Sequence, residues 1–104
     1  MRNCRDEFLE EIYGKEVLCA YIRSEKTCWG EDRNKSALLK IGFSKEDFNL
    51  FLKSLNYDYD NGYGGQEVFG VIWYKDGTWS ERGEYDGSEW WEYKSVPSIP
   101  DSLK

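Results

Sequence analysis

With 104 residues, 39% of them hydrophobic, 33% charged and 18 aromatic, this chain has the apolar area to bury one core. That content excludes a disordered chain, and the length excludes a second independent core. The net charge of −6 is lopsided: residues 1–56 carry 10 acids and 10 bases, while residues 57–104 carry 10 acids, 4 bases and 11 of the aromatics. Such an acidic half repels a phosphate backbone and attracts basic protein surfaces, so direct nucleic-acid binding is disfavoured and a protein partner with a basic surface is expected.

The N-terminus reads Met1-Arg2-Asn3-Cys4-Arg5-Asp6-Glu7 with no apolar run behind it, and no stretch approaches the roughly 20 apolar residues of a membrane span. The expectation is a cytoplasmic protein with no membrane segment. Cys4, Cys19 and Cys28 are odd in number and lack CxxC spacing, which points to free thiols and away from a disulfide framework or a zinc site.

In chain order, the first expected element is a helix over Cys4–Tyr13, capped by Asn3, with Phe8, Leu9 and Ile12 on one face and Gly14 to end it. Val17–Arg23 reads as a strand, Ser24–Lys35 as an exposed polar loop, and Ala37–Ile41 as a short strand paired with the first. The strongest signal is Phe43-Ser44-Lys45-Glu46-Asp47-Phe48. Ser44 is an N-cap, Asp47 completes a capping box, and Phe43 can staple onto Phe48. Phe48, Phe51, Leu52 and Leu55 follow at helical spacing and belong in the core, as Ile72, Trp79 and Trp90 are expected to.

Residues Tyr57 to Gly65 form a loop rich in glycine, tyrosine and aspartate. Beyond it, Asp76-Gly77 and Asp86-Gly87 separate β-rich runs over 67–75, 78–85 and 88–95, each read as a two-residue hairpin turn. The tail Val96-Pro97-Ser98-Ile99-Pro100 is read as extended along the body. The sum is an α+β single domain over 1–104: an antiparallel sheet with a C-terminal three-strand meander, packed by two helices on one face.

Two-residue turns fix which side chains share a face. They place Val68, Ile72, Tyr74, Trp79, Glu81, Gly83, Tyr85, Trp90 and Glu92 together, and this more apolar set is assigned to the helices. The other set is then exposed and surrounds Arg82 with Trp73, Trp91 and Tyr93, in an arrangement suited to cation–π stacking, with Glu84 and Glu89 at its edge. With Asp58, Asp60 and Tyr63 of the loop, these are the candidate partner-binding residues.

Catalytic and metal chemistry find little support. The chain has no histidine, its glycine-rich loop lacks the lysine and following helix of a phosphate site, and Glu81 opposite Glu92 is too close a pair for glycosidase work. Asn56, Asp58, Asp60 and Glu67 follow the spacing of a calcium loop, but Asn61 stands where its turn needs glycine and a strand follows Glu67 where a helix should. No cofactor and no enzyme activity are expected.

Lys40-Ile41-Gly42, the run Tyr57 to Gln66 and above all Asp76-Gly77-Thr78-Trp79-Ser80-Glu81-Arg82-Gly83-Glu84-Tyr85-Asp86-Gly87-Ser88-Glu89-Trp90-Trp91-Glu92-Tyr93 resemble small accessory proteins of tailed bacteriophages and prophages. The resemblance runs from Leu39 onward and implies a bacterial host cytoplasm. By analogy with other small acidic phage proteins, some of which imitate the negative charge of DNA, the expected function is inhibition of a host defence or nucleic-acid-handling enzyme by protein–protein contact, of the anti-CRISPR or anti-restriction type. Two rivals stand beside it. One is a binder of a nucleotide-like or sugar-like molecule held by Arg82 and stacked on Trp91; the other is a structural accessory protein of the particle.

Overall fold

The computed structural model describes residues 2–25, 27–28, 31–32, 35–59 and 65–104, with side chains left out at 27, 28, 31 and 32. The elements in order are β1 (Arg2–Asn3), α1 (Cys4–Ile12), β2 (Val17–Ser24), β3 (Thr27–Cys28), β4 (Glu31–Asp32), β5 (Lys35–Leu39), α2 (Lys45–Ser54), β6 (Asp58–Tyr59), β7 (Val68–Tyr74), β8 (Trp79–Tyr85), β9 (Ser88–Lys94) and a closing 3-10 turn at Asp101–Leu103. Five strands form an antiparallel sheet in the order β5-β2-β7-β8-β9. Two small pairings stand apart from it, β1 with β6 and β3 with β4.

Both helices start where the sequence places their caps. The Asn3 side chain accepts from the Asp6 amide at 3.1 Å, and in the capping box Ser44 Oγ accepts from Asp47 N at 3.1 Å while Asp47 Oδ2 accepts from Ser44 N at 3.0 Å. Phe43 stacks on Phe48 at 5.9 Å between centroids, as the staple requires. Phe8 of α1 meets Phe51 of α2 edge-on at 5.3 Å, so the helices share one apolar layer beneath the sheet. Val17, Ala20 and Ile22 of β2, Ala37 and Leu39 of β5, and Val68 and Ile72 of β7 close that core from above.

Three expectations change in detail. The short strand is Lys35–Leu39 and ends before Ile41, which is exposed. Phe51, Leu55 and Ile72 are buried, whereas Phe48 and Leu52 are half-buried at the rim. The loop expected over 24–35 contains the two-residue strands β3 and β4. In the tail, Val96 and Ile99 are 72% and 62% exposed.

The larger correction concerns the meander. Trp73 pairs with Trp79 and Ile72 with Ser80, so three residues, Lys75, Asp76 and Gly77, form the first turn. Tyr74 N donates to Thr78 O at 2.9 Å and Gly77 N to Tyr74 O at 3.2 Å, with Gly77 at φ 88°. This is a type I turn closed by a glycine bulge, one residue longer than the expected loop. The second turn is the two-residue one expected, with Asp86 at φ 52°, Gly87 at φ 87° and Tyr85 opposite Ser88. One extra residue in the first turn rotates β8 and β9 together by one position relative to β7. Arg82, Glu89 and Trp91 therefore face the helices, while Trp79 and Trp90, expected in the core, lie on the far face with Trp73.

Candidate functional site

Beneath the sheet, α1 presents Cys4, Glu7 and Phe8 to the core at i, i+3, i+4 spacing. Glu7 thereby reaches the inner face of β8, where the Arg82 guanidinium lies with its side chain 1% exposed. Arg82 Nη1 donates to Glu7 Oε1 at 2.9 Å; Nη2 donates to the Tyr59 hydroxyl at 2.8 Å and to Glu89 Oε1 at 3.1 Å. Tyr59 in turn donates to Glu7. Glu89 also accepts from the amides of Glu67 at 2.6 Å and Val68 at 2.9 Å, so one carboxylate pins the entry of β7 to β9. The guanidinium carbon stands 5.1 Å from the Trp91 ring centre and 5.5 Å from that of Tyr59. One α1 turn further on, Glu11 accepts from Ser80 Oγ at 2.6 Å, and Tyr74 shares a hydrogen bond with that hydroxyl at 2.7 Å.

Burial works against the charge on Arg82, and Glu7 with Tyr59 outweighs it, so the guanidinium sits above its usual pKa. Burial, and then the bond to Glu7, pushes the Tyr59 phenol up; burial and the neighbouring Cys4 do the same to Tyr57. These shifts belong to an internal polar knot whose charges are paired. Arg82 Nε and Trp91 Nε1 are the two buried donors without a partner among the described residues.

Both helices pack on the inner side, so among the described residues no helix covers the opposite face of the sheet. One row across it holds Tyr21, Val71, Glu81 and Glu92, with Leu38 at the β5 end; a second holds Cys19, Trp73, Trp79 and Lys94. Tyr21 is 37%, Trp73 42% and Trp90 37% exposed. Trp90 lies across Gly83, its indole nitrogen 2.8 Å from where a Cβ at that glycine would stand, and donates to Glu92 at 2.9 Å. Lys94 sits between Glu81 at 2.6 Å and Glu92 at 3.5 Å. Hydrogen bonding to Lys94 holds the Glu81 carboxyl below its ordinary pKa, and the same bond raises Lys94. Both carboxylates of the expected cross-strand pair are thus ion-paired to one ammonium.

The sequence-derived candidates therefore do not form one surface. Trp73 is on the outer face; Arg82, Glu89 and Trp91 are inside, which corrects their assignment to an exposed face. Tyr93 is half exposed at the border of the inner face, where Lys15 lies 4.8 Å from its ring centre and its hydroxyl donates to Thr78 at 2.9 Å. Glu84 is exposed and accepts from the Gly87 amide at 2.9 Å, bracing the second turn. Asp58 accepts from Asn3 at 3.1 Å and, with Asn56 at 3.2 Å, ties the chain after α2 to the N-terminus. Asp60 and Tyr63 lie outside the described residues. Glu7 and Tyr59 were missed inside, and Tyr21, Trp79 and Trp90 outside.

One signal was available. The assumed register buries Glu81 against Glu92 with no buried base nearby, whereas the true one buries Glu89 with Arg82, and like charges facing each other in a core are strongly disfavoured. Among the described residues, no group of three or more aspartate, glutamate or cysteine side chains is arranged to hold a metal ion, and no helix is long and apolar enough to cross a membrane. No protein-family model, curated protein or solved structure matches this chain.

Proposed function

We propose that this chain is a non-catalytic binding protein that docks the aromatic outer face of its sheet onto a basic surface of a protein partner. The outer face, which no helix covers among the described residues, carries this reading. Tyr21, Trp73 and Trp90 stand exposed on rigid strands, and large aromatic side chains on a fixed backbone provide anchor area at small entropic cost. The excess of acids in residues 57–104 supplies steering toward a basic partner. The finer reading, a phage-encoded inhibitor of a host defence or nucleic-acid-handling enzyme, is supported by that acidity together with the resemblance of Asp76–Tyr93. The ligand-binding rival needs an accessible Arg82 and Trp91, and both are buried with the Arg82 fork occupied.

The test is an affinity capture from bacterial lysate at low and high salt, run in parallel with the parent protein and the Trp73→Ala/Trp90→Ala variant. A stoichiometric protein partner that salt releases and the variant fails to hold is the expected result. A partner retained equally by the variant, or no partner at all, would overturn the reading.

A further inference from the structure

The sheet has a second surface built for contact, at the edge farthest from the acidic β9. β5 pairs with β2 on one side only, so among the described residues its other side presents unpaired main-chain donors and acceptors. Lys35-Ser36-Ala37-Leu38-Leu39 contains no proline and its register with β2 is continuous, so its guards against strand addition are its five-residue length and the lysine at its start. Beside it runs a groove of about 350 Å3 whose opposite wall is the Asp47, Leu50, Phe51, Ser54 stripe of α2. Leu50, on the α2 wall, is 61% exposed; Leu38, in the strand wall, is 63% exposed and belongs to the outer-face row of Tyr21. An edge strand beside a helix-walled trough is the geometry of peptide capture by strand addition, in which backbone pairing supplies affinity and alternate side chains enter the trough.

Charge says what fits. Lys35 and Lys40 bound the strand at its two ends, and both are exposed. This makes a second copy of β5 a poor occupant, because an antiparallel pairing would crowd four lysines along one short ladder.

We infer that the β5 edge and the β5–α2 groove bind an extended peptide segment of a partner protein, apolar at its centre and carrying carboxylates at both ends. The added strand would place alternate side chains against Leu50 and Phe51 and the others beside Leu38, lengthening the outer face. This site stands apart from the outer-face reading, and either can fail without the other.

The test is fluorescence anisotropy with the whole protein and a labelled peptide of about nine residues, leucine alternating with threonine and glutamate at each end. Three controls accompany it: the same peptide with lysine ends, the same peptide N-methylated on alternate residues, and the Lys35→Glu/Lys40→Glu variant, whose changes are on the surface. Saturable binding is expected for the glutamate-ended peptide, weakened about tenfold or more by lysine ends and by the charge-reversed protein. N-methylation, which removes the ladder donors, should abolish it. Equal binding of both charge forms, binding indifferent to N-methylation, or no binding up to about 1 mM overturns the proposal. Sedimentation showing a dimer that the Lys35→Glu/Lys40→Glu variant alters would assign the edge to a second copy and overturn it as well.

Discussion

Arg82 donates to Glu7, Tyr59 and Glu89 from a position almost closed to solvent, so removing its side chain leaves the buried Glu89 without a counter-charge and Glu7 with Arg2 alone, at 3.7 Å. Arg82→Ala should lower the unfolding free energy by about 3–5 kcal/mol, measured by urea denaturation; a loss below about 1 kcal/mol would contradict the internal knot. Gly70 is a second sensitive position, because a Cβ there would lie 2.5 Å from the Tyr21 carbonyl oxygen and 3.0 Å from the Ile22 Cα, both backbone atoms. Gly70→Ala should cost about 1–3 kcal/mol in the same assay through displacement of β2. Tyrosines set the alkaline limit. Burial pushes Tyr74 up to about 12, and Tyr57 and Tyr59 are raised as well. A phenol whose pKa is raised by folding contributes stability that is complete below its unfolded value near 10 and is lost as pH rises through the folded one. The thermal midpoint should therefore hold near pH 8 and fall progressively above about pH 10, and a flat profile to about pH 11.5 would refute the assignment. At this scale the Arg82–Trp91 contact expected from the sequence exists, but under the sheet, and its acidic partner Glu7 comes from a helix 75 residues earlier in the chain, beyond any local pattern.

The elements were legible wherever a local rule decides them. Asn3 and the Ser44–Asp47 box fix both helix starts, and the Asp86-Gly87 turn fixes the β8–β9 register. The Lys75-Asp76-Gly77 turn was not legible, because an aspartate–glycine pair suits both a two-residue loop and a three-residue loop with a glycine bulge, and β7 is apolar on both faces. Long-range charge pairing settles the choice. Deleting Lys75 would force the shorter loop and turn either β7 or the β8–β9 pair over, exposing Arg82 and Glu89 and burying Glu81 with Glu92. Cooperative thermal unfolding followed by circular dichroism should disappear in that deletion; a variant with a parent-like transition would show that the turn does not set the register.

The molecule as a whole is a slab, 55 × 36 × 19 Å, with a radius of gyration of 15.4 Å where a compact chain of this length has about 13 Å. Its thin dimension holds one sheet and one helix layer. The accessible surface is 7278 Å2 against about 6,100 Å2 expected for a compact monomer of this mass, and the tail, exposed at every residue from 93 to 104, adds to that excess. The α+β class, the meander and the charge partition all followed from composition and turn chemistry, while the identity of the open face depended on one residue in one turn. That face is best tested by hydroxyl-radical footprinting of the free protein with mass spectrometry on its tryptophans. Rapid oxidation of Trp73 and Trp90 with protection of Trp91 is the predicted pattern; Trp91 oxidising as fast as Trp73 and Trp90 would put Arg82 back on the surface and contradict the account.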